Sequence, residues 1–126
     1  STPDVVGSVA NYLRVHGWEP GGPVVRDVTV DEGADLARFE RPNYKPERSV
    51  IDWHEAGFRS SADLEPDRPA ALVQLEIEDG HARWMTFNNF YVITRYNHSP
   101  LYAMAVYQLS EEIRTAREQR QQARND

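Results

Sequence analysis

The sequence predicts an α+β chain in which two terminal helices bracket a small antiparallel sheet. Three observations carry this: apolar residues at helical spacing in residues 1–18 and again from residue 100, β-branched alternation between them, and Asp79-Gly80 set between two alternating runs. The order suits a plain α+β layout or a β insertion within a helical domain. At 126 residues the chain has room for one domain with a real core.

In the first helix, Ser1 or Thr2 can cap, Pro3 suits the first turn, and Asp4 favours the positive end of the helix dipole. Val6, Val9, Ala10 and Leu13 are expected on a buried stripe, and Gly17 supplies a stop. EPGGP, residues 19–23, is a turn cluster. VVRDVTV then alternates Val24, Arg26, Val28 and Val30 against Val25, Asp27 and Thr29, which reads as one strand. Residues 31–47 carry acids, Pro42 and Pro46 with weak periodicity, so a loop is expected there, with a short strand around Leu36 to Phe39. SVIDWHEAG predicts a short helix, with Ser49 as N-cap, Asp52 placed for a reciprocal cap and Gly57 at the stop. In ALVQLEIEDGHARWMTF, Val73, Leu75 and Ile77 point one way and Gln74, Glu76 and Glu78 the other. Asp79-Gly80 is expected as the two-residue turn, with a return strand from about His81 to Phe87. Ser99 caps the last helix, Pro100 takes its first position, and Leu101, Met104, Ala105, Gln108, Leu109 and Ile113 share one stripe. From Glu111 onward the chain is nearly all Arg, Gln and Glu, and its end is expected to fray.

Fourteen basic against 20 acidic residues give a net charge of -6, which disfavours chain-wide attraction to nucleic acid or anionic lipid. With no cysteine, disulfides and thiolate catalysis are excluded. No apolar run approaches the roughly 20 residues of a membrane helix, and no secretory signal pattern stands at the start. The first residue is not Met, and the expectation is a processed chain or a piece of something longer.

His16, His54, His81 and His98 are scattered singly, with no metal-site spacing. Asp52 and Glu55 flank His54 but read as cap and surface groups. Glu76 and Glu78 would lie about 7 Å apart on one strand face, a separation that suits an inverting glycosidase pair; alternation with Leu75 and Ile77 is also what any half-solvated strand gives. No Ser-His-acid order, phosphate loop or basic-aromatic comb is present. Spacing alone nominates no enzyme. TRYNHSPLYAMAVYQL, residues 94–109, sets Tyr96 and Asn97 against the start of a helix. An Asn amide both donates and accepts, and Tyr offers a flat face with a hydroxyl tip, the equipment for holding a sugar. Helix capping by Asn97 and core packing by Tyr96 account for the pair equally well, and Tyr12 and Tyr102 carry the same ambiguity.

GSVANYLRVHGWEPG, residues 7–21, and NFYVITRYNHSPLYAMAVYQLSEEI, residues 89–113, closely resemble two segments of the membrane-bound lytic transglycosylase B family, murein-cleaving enzymes of Gram-negative bacteria. SVIDWHEAGF and LVQLEIEDGHARWMTFNNFYVITRYN extend the likeness more loosely through the middle. The resemblance implies a lysozyme-like helical core carrying an inserted β domain: residues 1–18 a core helix, 19–88 the inserted β domain with one short helix, and 89–126 the core's C-terminal segment and helix. It implies cleavage of the β-1,4 bond between N-acetylmuramic acid and N-acetylglucosamine without water, the muramic 6-hydroxyl attacking C1 to leave a 1,6-anhydro end. One carboxylic acid then serves as acid and base in turn, and the tethered hydroxyl has a high effective concentration. Carried over by position, Tyr96 and Asn97 match the family's cleft Tyr-Asn pair, Tyr102 a cleft tyrosine on the last helix, and Tyr12 one on the helix after the catalytic region.

The family's glutamate acid/base and its calcium-binding loop lie in a segment preceding the one matched. The resemblance therefore implies no catalytic residue, metal ligand or cofactor in this chain, which alone would be inactive. Its implied partners are peptidoglycan glycan strands and the missing N-terminal part of the same protein, with no nucleic acid and no membrane insertion by this chain. The implied location is the periplasm, with outer-membrane anchoring through the preceding part. A non-catalytic peptidoglycan-binding module is the alternative.

Overall fold

The computed structural model describes residues 2–40 and 44–125. Ser1 and Pro42, and the side chains of residues 2–6 with the cap candidates Thr2 and Asp4 and the stripe residue Val6, lie outside what is described. In chain order come helix α1 (Thr2–Val15), strands β1 (Val25–Asp27) and β2 (Thr29–Val30), a 3-10 helix (Leu36–Glu40), strand β3 (Arg48–Ser49) and helix α2 (Val50–Glu55). Strands β4 (Phe58–Arg59), β5 (Pro69–Ile77) and β6 (Gly80–Thr86) and helices α3 (Asn88–Tyr96) and α4 (Pro100–Asn125) follow. All pairing is antiparallel: a four-stranded sheet in the order β1-β6-β5-β3, and a two-stranded β2-β4 sheet.

The four-stranded sheet is buried on both faces. Side chains alternate along a strand, and the register sets Leu72 opposite Met85 and Val73 opposite Trp84. Ala70, Leu72 and Met85 therefore join one core with Phe39, Val50, Trp53, Phe58 and Phe87. Val25 and Val73 face a second core with Phe90, Ile93, Ala103 and Met104. In the first core, Trp53 and Phe39 meet Phe58 edge-on, with ring centroids 5.7 and 5.4 Å away, the arrangement ring quadrupoles favour. The indole N–H of Trp53 donates to the Ala70 carbonyl at 3.1 Å, so its one polar atom is satisfied in the interior. The second core is closed by α3 and α4.

Short-range signals formed as expected. Ser49 caps α2, its hydroxyl accepting from the Asp52 N–H at 3.2 Å, and Gly57 follows with φ +98°. Other expectations need correction. Residues 24–30 are not one strand: the Ser60 hydroxyl takes the Asp27 carbonyl at 2.7 Å, and the chain turns from β6 to β4 as Val28 and Val30 follow the Phe58 core. Leu36 to Phe39 is a 3-10 helix, not a strand, because the Asp35 carboxylate accepts from the Ala37 N–H at 3.1 Å and starts a turn. The hairpin turn is Glu78-Asp79, one residue earlier than expected, since Ile77 pairs with Gly80. Among the described residues no non-glycine has positive φ, and Gly80 at φ +141° absorbs the unusual backbone. Glu78 thus leaves the strand, and Glu76 and Glu78 are no longer a pair on one face.

Helix α4 also buries a different face from the one expected, and α1 departs from its expected stripe at one described position. On α1, Val9 and Leu13 are half-buried and Ala10 is exposed. On α4, Met104 is buried together with Ala103, while Leu101, Ala105, Gln108, Leu109 and Ile113 are exposed. Periodicity identifies an apolar stripe but not what covers it. Helix α4 continues to Asn125 instead of fraying, supported by ion pairs from Arg114 to Glu111 and Glu118 at helical spacing.

Candidate functional site

The turn after α1 is tied to the start of α3 by two neighbouring amides. Asn88 donates to the Gly17 carbonyl at 2.7 Å. Asn89, 1% exposed, donates to the carbonyls of Glu19 at 2.8 Å and Gly22 at 3.2 Å, and accepts from the Glu19 N–H at 2.8 Å. Arg68 adds ion pairs to Glu19 at 3.2 Å and Glu65 at 3.1 Å. Burial would lower the Arg68 pKa, but its hydrogen bonds to both carboxylates outweigh that and hold it above the ordinary value. The reading of the sequence missed this clamp; its available signal was the Asn-Asn pair directly after a strand.

The clamp fixes α1 against α3, and there two of the expected residues meet. The rings of Tyr12 and Tyr96 lie edge-on with centroids 5.4 Å apart. Tyr12 also stacks on His16 at 3.8 Å, and the His16 Nδ1 sits 2.9 Å from the Tyr12 carbonyl. Tyr96 is 44% exposed, so core packing does not account for it.

Asn97 is the C-cap of α3, its N–H donating to the Ile93 carbonyl at 3.0 Å. Its side-chain oxygen accepts from the Ser99 N–H at 3.1 Å, and the Ser99 hydroxyl accepts from the Tyr102 N–H at 3.1 Å to start α4. Capping therefore occupies the Asn97 oxygen. The exposed side-chain N–H pair has no partner among the described residues and remains open to a ligand. Tyr102, 39% exposed, is joined to Asn97 through this cap. It makes no ring contact with Tyr12 or Tyr96 among the described residues. The four residues thus fall into two pairs, Tyr12 with Tyr96 by ring contact and Asn97 with Tyr102 through Ser99, and the cavities found elsewhere among the described residues are lined by other side chains.

The other titratable candidates are placed apart. His54 Nε2 accepts from the Ser60 N–H at 3.1 Å, a structural bond. Among the described residues no three His, Asp or Glu side chains are grouped to hold a metal ion.

The Transglycosylase SLT domain family matches residues 1–111, and the chain belongs to that family. It is 38% identical over 120 residues to the membrane-bound lytic murein transglycosylase B of Escherichia coli (strain K12), over 92% of this chain and 31% of that protein. Among solved structures, the soluble lytic transglycosylase SltB1 from Pseudomonas aeruginosa superposes with a TM-score of 0.80 at 37% identity, over 94% of this chain and 38% of that one. SltB3 from the same organism, in complex with NAG-anhNAM-pentapeptide, gives 0.67 at 30% identity, over 84% of this chain and 28% of that one. The chain thus spans about a third of the curated relative, 31% of its length. Its α+β architecture is that of the lysozyme-like lytic transglycosylases.

Proposed function

We propose that this chain is the C-terminal part of a lytic murein transglycosylase that cleaves the β-1,4 bond between N-acetylmuramic acid and N-acetylglucosamine and leaves 1,6-anhydro ends. In this reading residues 19–88 are a β domain inserted between core segments 1–18 and 89–126, and the whole protein works on glycan strands in the periplasm. The observation that carries it is the edge-on Tyr12–Tyr96 contact beside the open amide of Asn97. Tyr12 and Tyr96 give the sugar an apolar wall, and Tyr102 adds a phenol at its end. The Asn97 amide donates to the acetamido carbonyl, while its oxygen stays engaged by Ser99 and so holds the amide in place.

The glutamate that protonates the leaving oxygen belongs to the preceding part of the family's sequence. As the C1–O4 bond breaks, the muramic O6 bonds to C1, and the same glutamate takes the hydroxyl proton, so no water is consumed. What this chain contributes is pose: the sugar must present its own hydroxyl to C1. The test uses murein sacculi. The isolated chain should co-sediment with them and release no anhydromuropeptides. Release by this chain alone would refute the assignment of the acid to another segment, and failure to co-sediment would refute the wall. In the intact enzyme Asn97→Ala should lower turnover about 10–100-fold, roughly 1.4–2.8 kcal/mol of lost positioning, and unchanged kinetics would remove Asn97 from the site.

A further inference from the structure

Away from the tyrosine wall, the β region holds a cavity of about 200 Å³ lined by Arg38, Lys45, Glu47, Arg48, Trp53 and the first buried residues of β5. It exists because β3 pairs with β5 through only two residues, Arg48 with Ala70 and Ser49 with Pro69. The chain before Arg48 leaves the sheet and opens a gap along β5. Three cations and one carboxylate line this gap, in a chain whose net charge is -6.

The Arg48 guanidinium carbon lies 5.1 Å over the Trp53 ring. Trp53 is itself fixed by its bond to the Ala70 carbonyl and its edge contact with Phe58. A guanidinium laid on an aromatic face keeps its N–H edges for a second partner. Arg38 sits in the 3-10 helix whose neighbouring Phe39 is buried in the first core. Both residues are half-buried, and among the described residues neither forms an ion pair. By contrast, Arg83 on the same face of the sheet is spent on Gln74 and Phe39. The Arg48 fork laid on Trp53, with Arg38 beside it in the cavity lining and neither ion-paired among the described residues, matches a planar carboxylate.

We propose that this cavity binds a carboxylate of the peptide carried by murein glycan, so that the β region distinguishes peptide-substituted strands from bare ones. This rests on the murein reading above and adds a second contact to the tyrosine wall. The test is calorimetry on this chain with NAG-NAM-pentapeptide, with peptide-free NAG-NAM and with inorganic phosphate, while NMR follows the Trp53 indole N–H. The peptide-bearing ligand should bind about tenfold more tightly than the bare disaccharide and shift the Trp53 signal, as one charge-assisted bidentate contact predicts. Arg38→Gln, and separately Arg38→Gln with Arg48→Gln, should erase that increment and leave bare-disaccharide affinity unchanged. Arg48→Lys should keep part of it, since charge remains and the fork is lost. Equal affinity for the two glycans, or discrimination retained in the double variant, overturns the proposal. A Trp53 shift with phosphate but none with the peptide ligand overturns it as well. Loss of affinity for both glycans would instead overturn the murein reading, which separates the two failures.

Discussion

Asn89→Ala removes the clamp that brings α1 to α3. Three bonds are lost at a residue 1% exposed, with distances of 2.8, 2.8 and 3.2 Å. At a net worth of about 1 kcal/mol each, the loss is about 3 kcal/mol, and the Glu19 N–H and the Glu19 and Gly22 carbonyls are left without this partner. Asn89→Asp should cost at least as much, because a carboxylate oxygen would then face those two carbonyls. Asn88→Ala, which gives up one exposed bond to Gly17, should cost about 1 kcal/mol or less. Urea titration followed by tryptophan fluorescence reads all three, with Trp18 adjoining the clamped turn. With a urea dependence of about 1–3 kcal/mol/M, the Asn89→Ala midpoint should fall by about 1 M or more. A loss below about 0.5 kcal/mol, the range of an ordinary surface substitution, would refute the reasoning.

Gly57→Ala should destabilise by about 2–4 kcal/mol in the same titration, since φ is +98° and an added Cβ would lie 2.9 Å from the Ala34 Cβ. Met104→Ala should cost about 2–5 kcal/mol by leaving a hole in the second core, while Leu109→Ser, on the exposed face of α4, should stay within about 0.5 kcal/mol; similar losses would show that α4 buries the other face. Burial, reinforced by the Glu111 carboxylate, holds the Tyr107 phenol above its ordinary pKa. The fold therefore favours the neutral phenol: its contribution is complete below about pH 10 and declines as pH rises beyond that. Tyr107→Phe should flatten this alkaline decline in denaturation midpoint, and an unchanged decline would exclude Tyr107 as its source.

The features legible in the sequence are those decided within a few residues. Ser49 and Gly57 determine the two ends of α2 locally, and both took their expected places. The hairpin was legible as a hairpin, but its turn depends on which residue takes positive φ, and Gly80 alone took it. Much of what failed required knowledge of distant partners, although the Asp35 turn that makes Leu36–Glu40 a 3-10 helix is local. Residues 24–30 divide because β4, 28 residues from Asp31 at the Arg59 ion pair, claims their second half. The stripe on α4 was periodic, but of its residues the fold covers Met104 alone. At the site, Tyr96 and Asn97 stood out through the family resemblance, and the structure shows the Asn97 oxygen accepting from the Ser99 N–H in the capping role that residue type left open. The Tyr12–Tyr96 contact was not legible, because the Asn88 and Asn89 bonds that make it span 71 and 70 residues.

A sheet shared by two cores also constrains how the chain can come apart. Slipping β5 against β6 by one residue would exchange Leu72 for Val73 and send each to the wrong interior at once. No half of the molecule can loosen at that hairpin while the other stays intact. Amide hydrogen exchange in β5 and β6 should accordingly report the slowest, global opening, so the aromatic wall and the arginine cavity would be lost together in a single cooperative event.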